Sequence, residues 1–324
     1  MKTKFLLVVM LCLSLLLTAC GGGAPEAAEA APAQNTTAEA PVEEEAAEAT
    51  EATEATVETI PEPTIAPFLD EGKVLLDNEY ITITLQGEVE ESYYLGYELV
   101  LENKSDEYIL VSTENTSVDG YMMYLNLQNS SVSPGKKAKA ELQIYNSEEG
   151  AMVKTLADLK NVEGGFRLSF NSDGGNTYSS GDEVYPFAIE GRQGEPLPAP
   201  ETTGQVLVDD DMLRITLMDT FDEEYAVGYK MLVENLSDEY LLVGMDNTSV
   251  DGFMVYLHLQ NATVAPGKTS VAELTAYTGN GDVESLDELI NIEGTFTIST
   301  NSDGANLYHS TDITYPLEIA GPAN

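Results

Sequence analysis

The chain has 324 residues and a formal net charge of −42, from 56 Asp and Glu against 14 Lys and Arg. Such an excess of negative charge excludes nucleic acid as a partner, because phosphate binding needs a basic face. The only cysteines are Cys12 and Cys20. Everything after them lacks disulfide and thiol chemistry and must draw its stability from hydrophobic cores.

Lys2 and Lys4 form a positive n-region, and Phe5 to Leu17 is an apolar stretch too short for a membrane-spanning helix. It runs into Leu17-Thr18-Ala19-Cys20, which resembles the lipobox of bacterial lipoproteins. The resemblance implies that residues 1–19 are a signal peptide and that Cys20 carries a diacylglycerol on its thiol; the alternative is an ordinary signal peptide with a chance cysteine. A lipidated cysteine with two or three chains would hold the membrane firmly, since each buried methylene adds about 0.8 kcal/mol. Residues 20–67 read as a tether: Gly21-Gly22-Gly23, then an Ala/Glu/Pro/Thr-rich run without Lys or Arg. That composition cannot bury enough apolar surface to offset its ordering entropy, so it is expected to be disordered. As a coil it would reach roughly 40 Å, and as polyproline II roughly 140 Å.

From about residue 68 the sequence is written twice. Gly72–Tyr145 aligns without a gap onto Gly204–Tyr277 at a shift of 132 residues, with about half the positions identical. After a loop two residues shorter in the second copy, Val162–Ile189 aligns onto Ile292–Ile319 at a shift of 130. A period this long means whole domains rather than solenoid units. Residues 68–191 and 204–324 are therefore read as two domains, joined by a short, stiff, Pro-rich linker over 192–203.

Within each copy the elements read as strands. Tyr80–Leu85 alternates with period two, and its counterpart Met212–Leu217 places Leu213, Ile215 and Leu217 on one face. Tyr94–Leu101 and Tyr108–Val111 follow, separated by the turn cluster Asn103-Lys104-Ser105-Asp106. Next comes NTSVDG, present as residues 115–120 and again as 247–252. Its Asp-Gly is a reverse-turn signal, so the motif is expected to be a corner joining strands. The strand after it, Tyr121–Gln128 or Phe253–Gln260, puts Tyr121, Met123, Leu125 and Leu127 on a core face, with Phe253, Val255, Leu257 and Leu259 in the copy. A Pro-Gly turn recurs at Pro134-Gly135 and Pro266-Gly267. Ser285–Ile290 reads as one short helix with Ser285 and Glu288 as a capping box. Phe166–Phe170 and Val184–Ile189, with Phe296–Thr300 and Thr314–Ile319, complete an all-β pattern of tandem immunoglobulin-like β-sandwiches.

The run Ser105-Asp106-Glu107-Tyr108, then Val118-Asp119-Gly120-Tyr121-Met122, then Pro134-Gly135-Lys136-Lys137-Ala138 resembles the Ig-like extracytoplasmic domains of unknown function on Firmicutes lipoproteins. The second copy keeps Ser237-Asp238-Glu239-Tyr240, Val250-Asp251-Gly252-Phe253-Met254 and Pro266-Gly267-Lys268, but loses the basic pair at Thr269 and Ser270. The resemblance implies a sandwich at the cell surface and transfers no catalytic residue.

Residues for chemistry are few. The only histidines, His258 and His309, belong to the second copy, where the first has Asn126 and Ser179, so a duplicated Ser-His-Asp site is excluded. His258 reads as a partly exposed sheet residue, and Glu90-Glu91 and Glu223-Glu224 as solvated loop charge rather than a glycosidase pair. The loops Asn171-Ser172-Asp173-Gly174-Gly175-Asn176 and Asn301-Ser302-Asp303-Gly304-Ala305-Asn306 are oxygen-rich and glycine-bent, as calcium loops are. Each offers one carboxylate, with Asp182 or Asp312 as the nearest supplement, so a turn is the preferred reading and no metal or cofactor is assigned. A third candidate is the face opposite the core on the strand after NTSVDG: Met122, Tyr124, Asn126 and Gln128, repeated as Met254, Tyr256, His258 and Gln260. These side chains suit a peptide or a glycan. The expected molecule is a lipid-anchored bacterial surface protein, non-catalytic, that binds a protein or glycan partner or has a structural role in the envelope. A calcium-dependent module is the alternative, and an envelope enzyme a distant one.

Overall fold

The computed structural model of the chain describes residues 68, 70–146, 151–279, 283–302, 304 and 308–320. The segments read as a signal peptide and a tether, with Cys20 between them, lie outside the described residues. Both copies belong to one compact unit, Pro61–Asn324. The architecture is all-β, with two 3-10 turns and no α-helix among the described residues.

The first copy contributes β1 (Val74–Asp77), β2 (Ile81–Glu90), β3 (Tyr94–Asn103), β4 (Tyr108–Val118), β5 (Tyr121–Met122), β6 (Asn126–Gln128), β7 (Ser131–Val132), β8 (Lys137–Tyr145), β9 (Asn161–Asn171) and β10 (Ser179–Glu190). The second repeats the series as β11 (Val206–Asp209), β12 (Leu213–Asp222), β13 (Ala226–Asn235), β14 (Tyr240–Val250), β15 (Phe253–Met254), β16 (His258–Gln260), β17 (Thr263–Val264), β18 (Thr269–Tyr277), β19 (Ile292–Asn301) and β20 (His309–Ile319). In the first copy one sheet has the order β1-β2-β3-β8-β6, and the other holds β10-β9-β4-β5 with β7 on β4. The second copy has the same two sets, β11-β12-β13-β18 with β16, and β20-β19-β14-β15 with β17. Between the copies, β5 meets β18 in parallel at Tyr121 and Thr269, so one sheet of each copy continues into the other.

Period-two patterning sets the cores. Ile81, Ile83 and Leu85 of β2 and Leu213, Ile215 and Leu217 of β12 are buried, as are Phe166 and Phe296 on the facing sheets. Each copy encloses its own cluster drawn from both of its sheets. Tyr97 on β3 and Tyr229 on β13 cross their cores, their hydroxyls donating to the carbonyls of Leu159 (3.4 Å) and Leu289 (3.0 Å). Burial raises both phenol pKa values. The turn after β3 is pinned by buried Asn103, whose amide donates to Glu107 O and Val132 O while its oxygen accepts from Ser105; Asn235 repeats each bond.

Two expectations need correction. Tyr121–Gln128 is not one strand: β5 pairs with β4 in one sheet and β6 with β8 in the other, so the chain changes sheets over residues 123–125. Phe253 is consequently not core but 75% exposed, and Tyr121 and Met123 are only half-buried, whereas Leu125, Leu127 and Leu257 are buried. Ser285–Ile290 is a single 3-10 turn, Leu286–Glu288, without a Ser285 side-chain cap; the Glu288 carboxylate accepts from Glu284 N–H instead. Its counterpart Leu156–Asp158 went unread in the sequence. The Pro-rich connection is anchored at its start. Arg192 pairs with Glu88 at 2.5 Å, Leu197 is buried in the first core, and Leu197 N–H donates to Asp119 at 2.9 Å.

Candidate functional site

The corner NTSVDG positions the surface that follows it. Asn115 and Asn247 adopt positive φ (52° and 54°) at a bulge of β4 and β14. Asp119 and Gly120 (48° and 87°), like Asp251 and Gly252 (49° and 79°), form a two-residue reverse turn of the type that favours Asp-Gly. Thr116 lies buried between them. Its hydroxyl donates to Met123 O at 2.5 Å and accepts from Leu125 N–H at 3.1 Å, and Thr248 repeats both bonds to Val255 and Leu257. These bonds lift the chain off one sheet and hand it to the other. The residue at the crest is a tyrosine in both copies: Tyr124 is 74% exposed and Tyr256 76%.

In the second copy the crest continues as an ordered row. Tyr256 meets His258 edge-to-face with ring centroids 4.5 Å apart, and His258 meets Tyr277 of β18 in the same way at 5.1 Å. Gln260 Nε2 donates to the Tyr277 hydroxyl at 3.2 Å. His258 is half-buried, held by two rings rather than by a carboxylate, and His309 lies on β20 in a different sheet. The first copy has Tyr124, Asn126, Gln128 and Tyr145 at the matching places, with Tyr124 OH 3.4 Å from Asn126 Oδ1. Strands β6 and β16 are three residues long and close their sheets on one side, so their outer edges are open to an added strand.

The oxygen-rich loop of the first copy borders a cleft of about 530 Å³ whose walls include Tyr80, Glu107, Phe170, Asp173 and Ser180. Two of its side-chain oxygens are already engaged. Asn171 Oδ1 accepts from Asp173 N–H (2.9 Å) and Gly174 N–H (3.0 Å), and Asp173 Oδ1 from Gly175 N–H (2.9 Å). With Gly174 at φ +73°, the loop is a self-bonded turn. Asp182 and Asp312 sit exposed in bulges of β10 and β20, and no cluster of three or more His, Cys, Asp or Glu side chains occurs among the described residues. Asp303 and Asn306 of the second loop lie outside the described residues. Glu90-Glu91 and Glu223-Glu224 are exposed at the ends of β2 and β12.

No family model matches the chain, and no curated protein does. Among solved structures the chain is similar to the crystal structure of the YadV chaperone, at 12% identity over 74% of this chain and 99% of that one. The TM-score is 0.24, too low to support a shared fold.

Two features escaped the sequence reading. Tyr277 belongs to the aromatic row, although it lies 17 residues from its partner Gln260; the register His258↔Thr275 brings them together. The first copy also carries a buried ion pair with no counterpart in the second. Arg167 forks onto both carboxylate oxygens of Glu114 and donates to Gly181 O at 2.8 Å, where the second copy has Thr297 and Asp246.

Proposed function

We propose that this is a lipid-anchored protein of the bacterial cell surface, in which tandem immunoglobulin-like sandwiches on an acidic tether bind a protein or glycan partner without catalysing a reaction. The observation that carries the binding reading is the row Tyr256–His258–Tyr277–Gln260, held in fixed geometry while its leading ring stays 76% exposed. Tyrosine rings offer apolar contact at small entropic cost, and the neighbouring amide and imidazole supply directional bonds; that combination recurs at recognition surfaces. The lipobox-like Leu17-Thr18-Ala19-Cys20 and the acidic run behind it support display at the membrane face.

Two experiments test the reading. The purified chain is applied to arrays of envelope glycans and of immobilised envelope proteins, alongside Tyr124→Ala, Tyr256→Ala and the double variant. An anchoring tyrosine contributes about 2 kcal/mol or more to a complex, so the double variant should lose at least thirtyfold in affinity. Binding unchanged in that variant would remove this face. For the anchor, labelled palmitate should enter the wild-type chain and not Cys20→Ala; equal labelling of both would overturn it.

A further inference from the structure

The two copies are joined through one small set of contacts, each presented by the first copy and received by the second. Gly120 O accepts from Thr269 N–H at 2.9 Å, and Tyr121 lies beside Thr269 in the parallel bridge. Asn115 Nδ2 donates to Gly304 O at 2.9 Å, and the Lys268 ammonium pairs with the Glu163 carboxylate. Met122 packs against the second core.

Because the copies are homologous, each half of this joint exists twice. The presenting half recurs on the second copy as Asn247, Gly252, Phe253, Met254 and Glu293, with every residue type kept apart from Tyr to Phe. The receiving half recurs on the first copy as Lys136, Lys137 and Gly174, with Lys137 in place of Thr269 as the one departure. Neither recurrence is covered. Phe253 and Met254 are 75% and 72% exposed where Tyr121 and Met122 are half-buried; Asn247, Glu293, Lys136 and Gly174 are exposed, and the Lys137 side chain is 62% exposed. The spare corner is also preformed, since Asn247, Asp251 and Gly252 (φ 54°, 49° and 79°) hold nearly the φ values of their docked counterparts (52°, 48° and 87°).

We propose that the corner of the second copy docks on the β8 hairpin of the first copy of another chain, so that molecules associate head to tail through a repeat of their own internal joint. The charges match, Glu293 meeting Lys136 as Glu163 meets Lys268. The contact is heterologous, with different patches on the two partners, so it propagates as an open chain or closes as a ring and does not stop at a two-fold dimer. Within one chain the connection through residues 192–203 raises the effective concentration of the joint; between chains this aid is missing, so the association is weak in dilute solution and strengthens with crowding. Tyr124 stays 74% exposed although its own corner is docked, so assembly leaves the tyrosine crests open.

The test is disulfide trapping in the full chain, in mild detergent, with Cys12→Ser and Cys20→Ser removing the natural thiols. Ladder partners lie within disulfide reach, so Phe253→Cys with Lys137→Cys should give, on mild oxidation, a reducible ladder of dimers, trimers and higher species. Its yield should exceed at least fivefold that of Phe253→Cys paired with Lys230→Cys on a remote strand. Tyr121→Cys with Thr269→Cys should close within one chain and verify the template. Glu293→Lys should weaken the ladder severalfold, and Lys136→Glu added to it should restore the yield. Equal ladders from the remote pair, dimers alone from Phe253→Cys by itself, a Phe253→Cys/Lys137→Cys chain that stays monomeric, or failure of the internal pair would each overturn the proposal.

Discussion

Corner 115–122 and corner 247–254 share their backbone and nearly all their side chains, yet one is half-buried and the other lies open. In the first copy the Asp119 carboxylate accepts from Asn161 N–H and Nδ2 and from Leu197 N–H, and Gly120 O accepts from the neighbouring copy. In the second, Asp251 accepts from Asn291 Nδ2, and the ring and thioether beyond it face solvent. The difference shows that a motif can be required twice by the fold and still do one job more in one copy: the turn comes from Asp-Gly and the threonine behind it, and the joint comes from what stands opposite.

The largest break between the copies is expected at Arg167. Its guanidinium is buried with Glu114, so Arg167→Ala leaves a carboxylate with little solvent and no partner, a loss of about 3–5 kcal/mol. Thr297→Ala, at the matching site, should change stability by about 0.5 kcal/mol or less. Denaturant melts of the two variants measure the contrast; equal losses would mean that the ion pair contributes nothing beyond the shared β-architecture. Replacing both Arg167 and Glu114 by apolar residues should recover most of the loss.

A smaller contrast is expected at the turn itself. Asp119→Asn keeps a residue that tolerates positive φ but weakens three charge-assisted bonds, at about 1.5–3 kcal/mol. Asp251→Asn touches one exposed bond and should cost about 0.5 kcal/mol. Because Asp119 holds Leu197 N–H, its variant should also speed amide hydrogen exchange over residues 192–200, and Asp251→Asn should not. Unchanged exchange would show that the connection is held by Leu197 burial alone.

How far these contrasts were legible beforehand follows from which residues set them. The repeat, the strand periodicity and the Asp-Gly turns rest on local chemistry, so the all-β architecture and the corner could be read directly. The change of sheet at 123–125 could not, because apolar alternation runs on unbroken from Tyr121 to Leu127 while a hydroxyl on the preceding strand, that of Thr116, diverts the chain. The exposure of Phe253 was hidden for a related reason: the two corners are nearly alike in sequence, and what separates them is the strand β18 that stands against Tyr121, a contact 148 residues away in the chain. Tyr124 and Tyr256 were found as an outward face, but Tyr277 entered their row only through strand register.

Alkaline pH should act on both copies and sharpen one difference. Tyr185 and Tyr315 are matched, and both phenols are pushed up to about 12, by burial first and then by the carboxylates of Glu183 and Asp210. Tyr308 is also pushed up to about 12, by burial and then by Tyr240 and by Glu114 of the other copy. A raised folded pKa means that the unfolded phenols, near 10, lose their protons first. The stabilisation is complete below pH 10 and is lost as pH rises toward 12. Melts from pH 9 to 12 should therefore show falling stability, and Tyr308→Phe should flatten that slope. A slope identical in Tyr308→Phe would remove Tyr308 from the effect.

The smallest expected effect is that of calcium, and it bears on whether the Asn-Ser-Asp-Gly loops are turns or sites. In the first loop two side-chain oxygens accept from the loop's own amides, Asn171 Oδ1 from two and Asp173 Oδ1 from one. Binding there would have to compete with those bonds and assemble six or more oxygens around a single carboxylate. Melting curves in millimolar calcium and in excess chelator should therefore superimpose within about a degree. A ligand bound only by the native state adds RT ln(1 + [L]/Kd), about 2.7 kcal/mol at a hundredfold excess over Kd. Even a modest site would thus raise the midpoint by several degrees. If such a rise appeared and Asp173→Asn abolished it while Asp303→Asn did not, the loops would differ between the copies as the corners do, and calcium would replace the tyrosine face as the first place to look for function.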